Sequence, residues 1–213
     1  MSGVKIKICG IRDRAALDAA MEARADYVGL VFYAPSPRAV SPREAAQLAE
    51  LSGDQIDRVG LFVDAGDAEI EQAVQAGRLG ALQLHGSETP ERAAQLRSRF
   101  GLPVWKAIAV SGPGDIRRAH DYAGAVDLAL FDAKTPKGTL PGGMGLSFDW
   151  SLLTSYRGPL PWGLAGGINP DNVADAVLVT GARLVDVSSG VESGTGVKSP
   201  EKIAAFARAV RGA

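Results

Sequence analysis

From Val4 to Cys9 the chain alternates, with Val4, Ile6 and Ile8 set against Lys5, Lys7 and Cys9. That two-residue period predicts a strand. Gly10 ends the run, and Asp13 can cap the helix that follows. Residues 12–24 scatter Ala15, Ala16, Leu17, Ala19, Ala20 and Met21 among charges, an alanine-rich amphipathic helix. Tyr27 to Phe32 is an unbroken apolar run, typical of a strand covered on both faces. After a loop with two prolines, Ser41-Pro42-Arg43-Glu44 starts a helix with Pro at its first position and Glu completing a capping box.

The alternation continues to the end. Strands are predicted over 57–63, 81–84, 103–109, 127–131, 162–165 and 184–187. Helices are predicted over 67–75, 88–100, 113–122 and 150–156, from Asn169-Pro170-Asp171-Asn172 onward, and over 199–211. Residues 133–147 read as a long Gly/Pro-rich loop. Eight strand–helix units with no linker predict an α/β chain folded as a single closed (β/α)8 TIM barrel over residues 1–213. The alternative is an open doubly wound sheet. Its dinucleotide-binding version is disfavoured, because no G-x-G-x-x-G follows the first strand.

Composition narrows the function classes. The chain has 213 residues, 46% of them hydrophobic and 22% charged, with a net charge of −1. A chain of this length can bury a core without a covalent staple. Its balance gives no electrostatic reason to expect nucleic acid or an anionic membrane as a partner. One cysteine excludes an internal disulfide framework and suits a reducing compartment. The first residues have no apolar signal segment, and no apolar run approaches a membrane span. The cytoplasm is the expected location.

In a barrel of parallel strands, chemistry sits at the C-terminal strand ends and in the loops after them. Cys9, Tyr33, Arg38, Asp64, His85, Asp132, the loop 135–145, Gly166-Gly167 and Ser188-Ser189-Gly190 fall there. The last two clusters argue for phosphate: the glycines let backbone N–H groups approach an anion, and the serines add hydroxyls. Loops after strands seven and eight hold phosphate in many barrels. The plainer alternative is that both are tight turns.

Cys9 and Asp132 are the acid–base candidates. Lys7, one pleat below Cys9, is expected to favour the thiolate, the form that accepts a proton. The apolar run Leu128-Ala129-Leu130-Phe131 is expected to form a collar that keeps Asp132 protonated and able to donate. A proton taker and a proton giver across a barrel mouth suit an isomerisation. Arg38 can clamp a carboxylate in bidentate fashion, or be a solvated surface arginine. His85 is expected to line the pocket. Asp186 shares the parity of Ser188, so Asp186 and Lys7 are expected to point into the barrel and pair, since burying either charge alone is costly. With only His85 and His120 as histidines, no metal site is expected.

Seven motifs in order carry a resemblance: Lys7-Ile8-Cys9-Gly10-Ile11; Phe32-Tyr33 with Ser36-Pro37-Arg38; Gln83-Leu84-His85-Gly86; Phe131-Asp132-Ala133; Gly142-Gly143 through Phe148-Asp149-Trp150; Leu164 to Pro170; and Asp186 to Glu192. Together the chain resembles the phosphoribosylanthranilate isomerases of tryptophan biosynthesis. The resemblance implies an Amadori rearrangement of N-(5-phospho-β-D-ribosyl)anthranilate, with Asp132 as general acid and Cys9 as general base. It implies that Arg38 holds the anthranilate carboxylate, and that Gly143, Gly166-Gly167 and Ser188-Ser189-Gly190 hold the phosphate. It implies no metal or organic cofactor and a small phosphorylated substrate; a monomer or homodimer is the expected assembly. The chain departs from many relatives at Arg12 and Met144, where they carry Thr. Met144 removes a side-chain hydrogen bond from the glycine loop. Another phosphosugar barrel isomerase, or a phosphate-binding module without catalysis, remains the alternative.

Overall fold

The computed structural model describes residues 3–136, 142–154 and 156–213. Eight parallel strands close on themselves in chain order. They are β1 (Lys5–Cys9), β2 (Tyr27–Phe32), β3 (Asp57–Phe62), β4 (Ala81–Leu84), β5 (Val104–Val110), β6 (Leu128–Ala133), β7 (Trp162–Leu164) and β8 (Leu184–Val187). The seam is the pairing of the first strand with the last, in a register that sets Lys7 beside Asp186. The helices outside are α1 (Arg14–Glu22), α2 (Pro42–Ser52), α3 (Asp67–Gly77), α4 (Pro90–Phe100), α5 (Pro113–Arg117), α6 (Val173–Thr180) and α7 (Pro200–Arg211).

Local chemistry accounts for the helix starts. Asp13 accepts the N–H of Ala16, and Ser41 and Glu44 form the reciprocal capping box. Two expectations need correcting. The helix expected over 150–156 is a single 3₁₀ turn, Trp150–Leu153, capped by Asp149; Ser151, Thr154 and Tyr156 favour a helix less than alanine would, and Gly158-Pro159 follow closely. The sixth strand runs on to Ala133, so Asp132 lies inside it, not beyond its end. A small antiparallel ribbon, β9 (Glu192–Gly194) with β10 (Val197–Lys198), was not expected.

Both faces of each strand are covered. Ile6, Ile8, Ala129 and Phe131 join the core between sheet and helices. Inside the barrel, Val59, Ala81, Trp105 and Leu184 make a lower apolar layer, and Cys9, Val31 and Leu61 an upper one. Between these stands a polar layer of Lys7, Gln83 and Asp186, with 0%, 1% and 7% of their surfaces exposed. At the N-terminal end of β3, buried Arg58 donates to the carbonyls of Gly53, Ile56, Gly77 and Arg78 and to the Ser52 hydroxyl. It ties the C-terminal ends of α2 and α3 to the barrel, far from the strand ends that carry the candidate chemistry. No helix among the described residues is long and apolar enough to cross a membrane.

Candidate active site

Cys9 ends β1, and Lys7 lies one pleat below it on the same side. Lys7 Nζ donates to Asp186 Oδ2 at 2.9 Å, the pairing expected across the seam. Lys7 has room to reach Cys9 because β2 presents Gly29 there. A β-carbon at Gly29 would lie 2.7 Å from Cys9 Sγ and 3.1 Å from Lys7 Nζ. Burial by itself would lower the Lys7 ammonium's pKa, but Asp186 and then Cys9 carry it above its ordinary value, so Lys7 stays charged. Lys7 pulls the Cys9 thiol towards its ionised form, but burial outweighs that pull. Burial pushes the thiol above its ordinary value, and Lys7 only pulls part of the way back, against Asp186.

Asp132 faces the same cleft from β6. The Ala133 N–H donates to its Oδ1 at 2.8 Å, and His85 Nε2 stands 3.2 Å from its Oδ2. The expected apolar collar is therefore not what surrounds the carboxyl group. Ala129 and Phe131, by the parity of the strand, turn outward to the helices. His85 is more than a wall of the pocket, since it is the side chain in contact with the acid. Its turn is held from behind: Lys106 donates to Glu88 at 3.0 Å and to the Gly86 carbonyl at 2.7 Å. Glu88 in turn accepts the N–H groups of Asp64 and Gly86. Asp64 accepts from Ser87, a structural role.

Arg38 is not a solvated surface arginine; only 7% of it is exposed. Its Nε and Nη2 donate to Glu192 at 2.7 and 2.8 Å, and Nη2 also reaches the Gly143 carbonyl at 3.0 Å. Its Nη1 donates to nothing among the described residues and stands beside Gly143. Glu192 also accepts from Lys198 at 2.7 Å, and Lys198 donates to the Ser188 carbonyl at 3.0 Å. Burial opposes the charge on Glu192, but Arg38 and Lys198 hold its carboxyl below the ordinary range.

The loops expected to hold phosphate line the same cleft. Gly166 and Gly167 have φ of +80° and +70°, conformations that glycine adopts without a steric penalty. A β-carbon on Gly166 would collide with the Ala133 N–H, and one on Gly190 with the Ile168 carbonyl. Among the described residues, the N–H groups of Gly166, Gly167, Ser189 and Gly190 donate to no protein acceptor. Cys9, Arg38, His85, Asp132, Gly143, Gly166, Gly167, Asp186, Ser188, Ser189 and Gly190 all line one cleft, and Lys7 lies just beneath it. Of the loop 135–145, expected as a lid, residues 137–141 lie outside the described residues; Gly142 to Gly145 line the cleft mouth.

Comparison with known proteins points the same way. A model of the N-(5'-phosphoribosyl)anthranilate isomerase family matches residues 6–209. The chain belongs to that isomerase family. The enzyme of Paramagnetospirillum magneticum is 54% identical over 210 residues, 98% of each chain. That of Rhodospirillum rubrum is 50% identical, over 99% of each. The crystal structure of the Thermotoga maritima phosphoribosyl anthranilate isomerase superposes with a TM-score of 0.89 at 37% identity, covering 99% of this chain and 100% of that one. A further phosphoribosyl anthranilate isomerase, solved with reduced 1-(o-carboxyphenylamino)-1-deoxyribulose 5-phosphate, gives 0.86 at 35% identity, with the same coverage.

Sequence reasoning passed over several residues of this isomerase site. Gln83, Glu192 and Lys198 are all buried at or beside the cleft. A charge or amide inside an apolar strand was the available signal for Gln83. Glu192 and Lys198 lie in a ribbon too short to show a period.

Proposed function

We propose that the chain catalyses the Amadori rearrangement of N-(5-phospho-β-D-ribosyl)anthranilate to 1-(2-carboxyphenylamino)-1-deoxy-D-ribulose 5-phosphate, the third step from anthranilate to tryptophan. The observation that carries this is the placing of Cys9 and Asp132 on β1 and β6 of one cleft. Asp132 gives its proton to the furanose ring oxygen. The C1'–O bond breaks, and the anilino nitrogen's lone pair forms the iminium. Cys9, as thiolate, removes the proton from C2'. That electron pair moves into C1'=C2', the iminium nitrogen regains its lone pair, and the enaminol tautomerises to the ketose.

The free N–H groups of Gly166, Gly167, Ser189 and Gly190, with the Ser188 and Ser189 hydroxyls and the mouth glycine Gly143, support binding of the substrate phosphate there. Arg38, with Nη1 uncommitted, takes the anthranilate carboxylate. His85 holds Asp132 in place and shares the proton it donates. One barrel over residues 1–213 carries the whole reaction. It runs in the cytoplasm, where a lone cysteine stays reduced.

The test couples the purified protein to the preceding transferase with anthranilate and phosphoribosyl pyrophosphate. The fluorescence of the ribosylated intermediate should decay. Cys9→Ala and Asp132→Asn should each cut kcat by about 10²-fold or more with little change in KM. A fully active Cys9→Ala enzyme removes the thiol from the mechanism, and an unchanged fluorescence trace for the parent protein removes the reaction.

A further inference from the structure

Buried polar atoms without a hydrogen-bond partner are rare in folded proteins, and each one left so is costly. Among the described residues, four of them belong to side chains that line this one cleft: Nε2 and Oε1 of Gln83, Nδ1 of His85 and Oδ1 of Asp186. Gln83 is the most exceptional. Its residue is 1% exposed, yet neither end of its amide meets a protein partner. The strand registers explain why none is in reach. Gln83 pairs with Leu61 of β3 and Trp105 of β5, both apolar. A leucine would fill such a place at less cost, so the amide is accounted for by something outside the protein.

The chemistry of that partner follows from the atoms. A neutral amide offers donor and acceptor side by side. A hydroxyl group also donates and accepts, whereas a phosphate only accepts and an ammonium only donates. The free oxygen of Asp186, in the same layer, adds an acceptor for a hydroxyl proton. We propose that Gln83 is a substrate-positioning residue that takes a secondary hydroxyl of the ribosyl chain, with Asp186 Oδ1 accepting from the same chain. The polar layer inside the barrel is thus the part of the site that reads the sugar, between the loops for phosphate and the arginine for the aryl carboxylate. This assignment rests on the proposed function.

Two probes test it by calorimetric titration. One is the reduced product analogue, which keeps the chain hydroxyls. The other joins the same aryl amine and phosphate through a plain five-carbon chain. Gln83→Leu should melt at or above the parent's temperature, because it removes unmatched polar atoms from the barrel. It should bind the hydroxylated probe about 10- to 100-fold more weakly and the plain probe equally well, the scale of one or two lost hydrogen bonds. Gln83→Met, closer in shape, carries the same comparison if leucine does not pack. Unchanged affinity for the hydroxylated probe, or an equal loss for both probes, overturns the assignment. If the parent protein binds neither probe, it is the proposed reaction that fails.

Discussion

Replacing Lys7 by Met isolates what governs the thiol. The Gly29 geometry puts Cys9 Sγ and Lys7 Nζ 2.7 and 3.1 Å from a common point, so the two atoms lie within about 6 Å of one another. At an effective dielectric of about 20, a unit charge at about 6 Å contributes about 3 kcal/mol, or about a hundredfold in thiolate population. Lys7 favours the charged form, so its loss moves ionisation of Cys9 to higher pH. The rate of alkylation by iodoacetamide, followed against pH without substrate, should fall about a hundredfold at neutral pH and recover in alkali. The single variant also leaves Asp186 buried without its cation, at a cost of about 3–5 kcal/mol. Lys7→Met with Asp186→Asn should regain much of that stability. It also removes the carboxylate that opposes thiolate formation, so its alkylation curve should fall between those of the parent and Lys7→Met. Coincident curves for all three proteins would refute a role for Lys7 in governing the thiol.

Other outcomes follow from the remaining buried charges. Glu192 sits below its ordinary value near 4.5, although burial opposes this. The native state therefore binds fewer protons than the unfolded one just below that pH, and stability is lost as pH falls through the lower native value. Glu192→Gln should lose about 3–5 kcal/mol at neutral pH by stranding Arg38 and Lys198, and show a shallower acid limb in urea melts between about pH 2 and 4.5; equal limbs would sink the linkage. Arg58→Met should lose about 3 kcal/mol in the same melts, because several carbonyls and Ser52 give up a buried donor. Its kcat/KM should equal the parent's, and a fall would mean that the two ends of the barrel are coupled.

The barrel was legible because each unit announces itself locally. Strands β2, β4 and β8 fall on the residues that their apolar runs mark, since turn residues or charges stop those runs abruptly. The end of β6 was misplaced because Asp132 reads as a terminator, although in the fold it is an inward-facing strand residue. Lys7 and Asp186 could be paired in advance because ring closure itself brings the first and last strands together. Arg38 and Glu192, 154 residues apart, could not. Periodicity reports which face a side chain occupies and not what it meets there. The same limit hid the contact between His85 and Asp132 and the burial of the thiol, which outweighs the nearby ammonium.

The seam between β1 and β8 also sets an order of events during synthesis. Lys7 and Cys9 leave the ribosome together, yet the carboxylate that anchors the lysine follows 179 positions behind Lys7. Until the final strand docks, the sulfur belongs to an unfinished arc with an ordinary, solvated reactivity. A half-made chain can thus own the thiol and still lack the finished pocket, and a circular permutation that joined β8 to β1 in sequence would make that ion pair an early contact rather than the last.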